Sequence, residues 1–402
     1  MSRNIDSYST TPCTGCGVCS AVCPTQAIKI EENSEGFLSP KLDSSKCVDC
    51  GLCQKVCYKF VATATLPSIE NGKCFAVCSN DEQTLRTTTS GGFAYELSKW
   101  GLANGYKIVG VKYDYDTDKA RMVIVDNIDD LELLKGSKYI QSYTADTVDT
   151  ILKLTAQNPE QGFICFGTPC QIFGLRQAVN LKQLTNDFIF VDLFCHGVPS
   201  YLVWDSYIKS HCQRLGKLSN VTFRYKGNGW HQYTIRLVGE RGTYCQYAYR
   251  DCFYRYFFDN VALNTSCFSC TLRRDTASDI RIGDFWGPKY EHREDGVSAI
   301  IVNSEKGKQI ISKLQQQSNI CFIAEHRITD CLHTQSSDTY QGIQLRNSVI
   351  ERLMTHNITS TQRWYERQFT LKHRTYIRLK RIATLLPTNT LIRLRRMFRS
   401  LK

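Results

Sequence analysis

Two cysteine runs near the start of the chain have the residue type and the spacing for metal chemistry. They are Cys13-x2-Cys16-x2-Cys19-x3-Cys23-Pro24 and Cys47-x2-Cys50-x2-Cys53-x3-Cys57. Eight thiolates at this repeated spacing suit a pair of [4Fe-4S] clusters. The first three cysteines of a run wrap one cube, and the three-residue step carries the fourth to the other cube. On that crossed scheme Cys13, Cys16, Cys19 and Cys57 hold one cluster, and Cys47, Cys50, Cys53 and Cys23 hold the second. Zinc takes four ligands in a tetrahedron, usually from well-separated pairs, not four cysteines in eleven residues. A disulfide framework needs an oxidising compartment and a secretory leader, and MSRNIDSYST has no apolar core to serve as one. One departure is Tyr58, which stands where the second run would normally have proline; it loosens the local turn and removes no ligand.

The elements that must position these residues follow from size and pattern. At 402 residues the chain has length for two or three domains. With 42% hydrophobic and 22% charged residues it reads as a globular protein, and no apolar run is long enough for a membrane span. Twenty cysteines without a leader point to a reducing cytoplasm and metal binding. The net charge of +12 is concentrated at one end: residues 363–402 hold twelve Lys or Arg and one acid, Glu366. That segment is +11, and the remaining 362 residues are almost neutral.

Residues 1–66 read as an α+β, ferredoxin-like module with two clusters, its short strands at Ala27–Ile30 and Gly36–Leu38. Its apolar core is small, so metal is expected to supply much of its stability. From Gly72 the pattern becomes an α/β domain with a mixed sheet, read as two regions, 72–160 and 161–345, before a basic helical tail, 346–402. Strands are predicted at 74–78, 107–111, 122–125, 162–166, 189–194, 279–287 and 297–303, and antiparallel strands within 221–250. Helices are predicted at 94–104 and about 147–157, after Cys170, and from 303 to about 316, while 317–350 carries little signal.

Four further cysteines sit in loop-like places: Cys170 after one buried strand, Cys195 after another, and the pair Cys267-x2-Cys270. Loops at the carboxyl ends of strands gather at one edge of an α/β sheet, so four thiolates there are enough for a third cluster. Ordinary buried thiols would look the same at this level, because cysteine is among the most buried residue types. Cys74, Cys78, Cys165, Cys212, Cys245, Cys252, Cys321 and Cys331 lie on strand-like or helix-like stretches and read as core or surface thiols.

KGSKYIQS at 135–142, GTPCQIFGLR at 167–176, VDLFCHGVPS at 191–200 and SDIRIGDFWG at 278–287 closely resemble motifs of the coenzyme F-420 hydrogenase/dehydrogenase beta-subunit family. The resemblance covers roughly residues 72–345. It implies an iron–sulfur flavoprotein that uses FAD, with Cys170, Cys195, Cys267 and Cys270 holding a [4Fe-4S] cluster beside the flavin. A flavin suits the chemistry, since clusters pass single electrons and a flavin delivers pairs. No intact G-x-G-x-x-G follows a strand, so a Rossmann nicotinamide site is not supported. Ser90-Gly91-Gly92 opening a helix can present N–H groups to a phosphate, or simply cap the helix. The loop Lys135-Gly136-Ser137-Lys138 can add positive charge, or be solvated. Asp284 and Trp286, with Gly287, are candidates to wall the flavin, and His196 to relay a proton near neutral pH or serve as a structural histidine.

Leu391, Leu394, Phe398 and Leu401 fall on one helical face, with Arg393, Arg395, Arg396 and Arg399 mostly elsewhere. That fits a basic amphipathic helix on the inner face of a membrane, or one docked on a partner; no nucleic-acid motif is present. The first reading is a cytoplasmic iron–sulfur flavoenzyme. A ferredoxin or similar donor feeds the clusters, and FAD reduces a small or lipid-linked organic substrate, as in surface-polysaccharide synthesis, with which some relatives in the family are associated. The second is a non-catalytic electron-transfer subunit linking a partner enzyme to a carrier such as coenzyme F-420. The third is a protein whose clusters are structural staples.

Overall fold

The computed structural model describes residues 3–61, 65–332, 335, 343–383 and 390. Strands β1 (Ile28–Glu32) and β2 (Leu38–Leu42) pair antiparallel and close the N-terminal module over its cysteines. Next come β3 (Lys73–Ser79), β4 (Lys107–Asp114), β5 (Lys119–Val125), β6 (Ser142–Tyr143), β7 (Phe163–Gly167) and β8 (Phe188–Leu193). A separate antiparallel sheet is built from β9 (Leu218–Thr222), β10 (Thr234–Gly239) and β11 (Gly242–Tyr247). Three last strands, β12 (Ile280–Asp284), β13 (Ser298–Val302) and β14 (Ile320–His326), return to the large sheet.

The large sheet has nine strands in the order β14-β3-β13-β12-β8-β7-β4-β5-β6. Its centre, β12-β8-β7-β4, is parallel, and the flanks are mainly antiparallel. The expected boundary at 160/161 falls inside this sheet, because β3 to β6 share it with the later strands. The edge strand β14 lies in the stretch that carried little signal.

Side chains alternate between the two faces of the central strands. Ile164, Ile189 and Val191 meet the helices Phe93–Ala103 and Glu305–Leu314, whereas Phe163, Cys165, Phe188 and Phe190 meet Ala145–Gln157 and Pro169–Leu181. Burial on both faces explains why these strands read as continuous apolar runs. Each fully buried Ile, Val or Phe is worth about 1.5–3 kcal/mol, so this layer is a large part of the domain's stability. The three-stranded sheet packs on the helix Tyr201–Leu215 through an aromatic cluster that includes Trp204, Tyr207, Phe223 and Phe253.

Val18, Val22 and Val56 of the N-terminal module belong to the same apolar cluster as the helix Pro169–Leu181. Gln141 accepts from the Leu38 N–H at 2.8 Å, and the Thr144 hydroxyl donates to the Cys16 carbonyl at 2.5 Å. The KGSKYIQS motif thus helps to seat the cysteine module on the sheet. Helices Ile343–Thr355, Ile358–Arg367 and Leu371–Ala383 follow. The proposed lipid-facing positions Leu391 to Leu401 lie outside the described residues.

Candidate metal centres

In each cysteine run the residue after the second cysteine is a glycine, and the structure uses its freedom. Gly17 and Gly51 adopt φ of 77° and 76°, a left-handed turn that costs a β-carbon-bearing residue energy. Each opens a four-residue helix, Val18–Ala21 and Leu52–Lys55, that carries the third cysteine inward. The fourth cysteines cross over. Cys57 lies among Cys13, Cys16 and Cys19, where the thiolates would repel one another. Cys23, Cys47, Cys50 and Cys53 line one cavity of about 310 Å³, counting the space open to solvent, walled by Ile28 and Leu42.

Backbone amides aim at the sulfurs: the Gly15 N–H donates to Cys13 Sγ and the Ala27 N–H to Cys23 Sγ, both at 3.3 Å. Burial pushes the Cys16 thiol up to about 12 and the Cys53 and Cys57 thiols up to about 11, with the neighbouring cysteines adding to the rise. Metal ligands must be deprotonated, so a cationic iron core is what would stabilise thiolates packed this way. Among the described residues no three His, Cys, Asp or Glu side chains converge on a single ion. A cube instead takes its four thiolates at separate corners, and the donor sets here fit that demand.

The inner cysteines are positioned by strand register. Gly167 at the end of β7 pairs with Asp192 near the end of β8, parallel neighbours in the sheet. Cys170 and Cys195 each follow three residues later, so they leave the same edge side by side. Strand β12 runs parallel to β8 with Ile280 opposite Val191, so the loop before β12 already stands at that edge. That loop carries Cys267 and Cys270. Cys195 would feel the charge of Cys267, Cys170 and Cys270, in that order. Burial is the first cause of the raised Cys170, Cys195, Cys267 and Cys270 thiols, with Cys267 reaching about 11.

One side chain fastens the arrangement. Arg281, 0% exposed, donates from Nε to Asp192 Oδ1 at 2.8 Å and from Nη2 to Asp192 Oδ2 at 2.6 Å. Nη1 donates to the Arg273 carbonyl at 2.7 Å, and Nη2 also reaches the carbonyls of Leu272 at 2.9 Å and Asp275 at 3.3 Å. It therefore ties the strand leading to Cys195 to the loop that follows Cys270. On the β7 side Thr168 caps the helix Pro169–Leu181 in a reciprocal box with Gln171, and its hydroxyl sits 3.2 Å from Cys170 Sγ.

The two cysteine groups also meet. Gly174 lies one turn beyond Cys170, and a β-carbon there would stand 2.8 Å from Val18 Cγ2 and 3.4 Å from Cys16 Sγ. Cys16 is the first neighbour whose charge Cys170 would feel. Cys50, by contrast, is exposed.

The residues expected to hold FAD are brought near one another but are engaged by the protein. The Ser90 hydroxyl donates to the Val297 carbonyl at 2.9 Å, and a β-carbon on Gly91 would strike Val77 O and Ser298 N. Gly92 serves as the N-cap of the helix Phe93–Ala103. Ser137, next to the turn at Gly136, gives its N–H to Thr89 Oγ1 at 2.8 Å. Lys135 pairs with Glu132 at 2.8 Å, and Lys138 turns its ammonium onto the carbonyls of Leu133, Leu134 and Lys135. Both ammonium groups are thus engaged within the loop and its neighbours. Asp284 is taken by Arg224 Nη1 at 2.9 Å and Trp230 Nε1 at 2.7 Å, and Trp286 stacks on Trp230 with centroids 4.6 Å apart. These residues do not fit a flavin as named.

His196 is packed into the protein in the manner of a structural histidine. Its Nε2 is 3.3 Å from the Phe257 carbonyl, its ring packs on Phe257, and burial holds its pKa down to about 4. Of the other cysteines, Cys74, Cys78, Cys165 and Cys331 are buried, Cys212, Cys252 and Cys321 half-buried, and Cys245 exposed. Sequence reasoning missed Arg281, Asp192 and Arg224. The first two do lie inside motifs that carried the resemblance.

Residues 161–327 match the family model for the C terminus of the coenzyme F420 hydrogenase/dehydrogenase beta subunit. Residues 12–61 match a 4Fe-4S dicluster domain. No curated protein matches the chain. A chain of the F420-reducing [NiFe] hydrogenase complex from Methanosarcina barkeri, in a xenon-derivatised structure, is similar at 17% identity with a TM-score of 0.45. That likeness covers 75% of this chain and 96% of the other. Among the described residues no helix is long and apolar enough to cross a membrane. Residues 161–327 thus resemble the C terminus of the coenzyme F420 hydrogenase/dehydrogenase beta subunit, and residues 12–61 a 4Fe-4S dicluster domain.

Proposed function

We propose that the chain is an iron–sulfur electron relay with three four-iron sites in series. The outer site is Cys23, Cys47, Cys50 and Cys53; the middle one is Cys13, Cys16, Cys19 and Cys57; the inner one is Cys170, Cys195, Cys267 and Cys270. The observation that carries the reading is the seat of Cys16 against the helix of Cys170, reinforced by the mutual approach of the four inner thiols. Bound at these positions, the clusters supply one-electron transfer. The chain's own part is to bury Cys16, Cys19 and Cys57 and half-bury the inner cysteines, to leave Cys50 exposed for a docking partner, and to fix the separation through Gly174. A ferredoxin or similar protein is the proposed donor.

The flavin-dependent enzyme acting on a small or lipid-linked substrate rests on the resemblance alone. Membrane contact through residues 363–402 rests on their charge; flotation with anionic liposomes is expected to be lost on deleting them, and unchanged flotation ends that idea.

The series order is tested by stopped-flow reduction with a reduced ferredoxin. Cys16→Ser is expected to keep inner-site iron yet slow reduction of the inner site at least tenfold. Reduction at the wild-type rate would contradict the order.

A further inference from the structure

Cys170 has a side-chain donor already set on its sulfur. Thr168, between β7 and the helix Pro169–Leu181, places its hydroxyl 3.2 Å from Cys170 Sγ. A thiol and a hydroxyl can exchange roles at that distance. An iron-bound thiolate cannot, because it carries no proton, so with the site loaded the hydroxyl is the donor. The donor is held from behind. The Thr168 N–H donates to Gln171 Oε1 at 3.0 Å, and the Ile172 N–H closes the first helical turn on the Thr168 carbonyl at 3.0 Å. Gln171, 6% exposed, gives its own Nε2–H to Ser142 Oγ at 2.8 Å. Ser142 stands two residues before Thr144, whose hydroxyl holds the Cys16 carbonyl. Residues 142–144 thus touch both the seat of the middle site and the support of the donor on the inner one.

We infer that Thr168 is a positioning residue of the inner site: its hydroxyl donates to the Cys170 sulfur, favours the reduced cluster there and so draws electrons inward from the middle site. This rests on the three-site reading above. The step it serves is a one-electron transfer, in which the middle site is oxidised by one electron, the inner site is reduced by one, and no bond forms or breaks. Reduction puts more negative charge on the inner sulfurs, so a hydrogen bond to Cys170 is stronger in the reduced site and raises its potential. Cys170 is also the second residue of its helix, where the backbone dipole favours negative charge. That field belongs to the backbone and stays when the side chain at 168 is exchanged; the hydroxyl does not.

The test is a redox titration of the holoprotein followed by electron paramagnetic resonance, in wild type, Thr168→Val and Thr168→Ser. Valine keeps the β-branched shape and removes the donor; serine keeps the donor. In Thr168→Val the equilibrium between middle and inner sites is expected to move about tenfold toward the middle site, ~59 mV for a one-electron couple, with the outer site unchanged. Thr168→Ala is expected to move it in the same direction, so the result does not hang on one variant folding. Thr168→Ser is expected to keep the wild-type inner potential. A role in helix capping alone predicts a lower melting temperature in the valine and alanine variants with the inner potential unchanged. That result would overturn the role of Thr168 and leave the three sites standing, as would a serine variant shifted as far as the valine one. A wild-type protein with only two cluster signals would overturn the three-site reading and Thr168's role with it.

Discussion

The proposed outer and middle sites and the proposed inner site would use the same ligand but obtain it in opposite ways. The N-terminal module supplies eight thiols from 45 residues of local chain, between Cys13 and Cys57, shaped by two glycine turns and two five-residue strands. The inner set is drawn from the first turn of the helix Pro169–Leu181, the segment after β8 and the segment before β12, which the sheet register brings to one edge. A local set needs little scaffold and leans on metal for its shape. A scattered set needs a rigid sheet and charge-paired fasteners, and its scaffold should outlast the metal.

Iron removal should separate the two most strongly. Chelated, reduced protein is expected to lose amide protection across residues 12–61 in hydrogen exchange, while β7 and β8 stay protected. Equal loss in both would break the contrast. Next in size is the fastener. Arg281→Met leaves Asp192 buried without its partner, a change that costs about 3–5 kcal/mol. Chemical denaturation should register it, with inner-site iron lost before iron in the N-terminal module. A stability within about 1 kcal/mol of wild type would show the pair to be dispensable.

The contact between the regions comes third. Gly174→Ala would press a methyl group on Val18 and Cys16, and overpacking of this kind costs about 1–3 kcal/mol. The expected signature is slower reduction of the inner site with iron content unchanged; an unaltered rate would mean that the module adjusts. The smallest effect is at the cap. Thr168→Ala removes the box at the start of the helix Pro169–Leu181, worth about 1 kcal/mol, and the hydroxyl beside Cys170. A modest fall in melting temperature is expected, with all iron retained.

The same contrast governs what could be read from the sequence. The crossed pairing proposed for Cys57 and Cys23 comes from spacing alone, which sends the fourth cysteine away from its own run. Cys170 and Cys195 were legible as cysteines just past apolar strands. Their meeting depends on Gly167 pairing with Asp192, a register that no local pattern encodes. Arg281 and Asp192 passed as strand residues because their partnership spans 89 positions. Strand β14 was missed because its half-buried residues show neither clean alternation nor a continuous apolar run. Lys138 shows another limit: a lysine in a polar loop reads as a free charge, and only the fold turns it onto the carbonyls of its own turn. Asp284 and Trp286 were seen as neighbours in sequence, while Arg224, which claims Asp284, lies just past β9 of the small sheet.

The central claim is that the scattered cysteines form a cluster site equal in kind to the local ones. Iron and acid-labile sulfide counted in anaerobically purified wild type and in Cys270→Ser test it directly. About twelve irons in the wild type and about eight in the variant are expected, from three four-iron sites reduced to two. About eight in both would contradict the inner site.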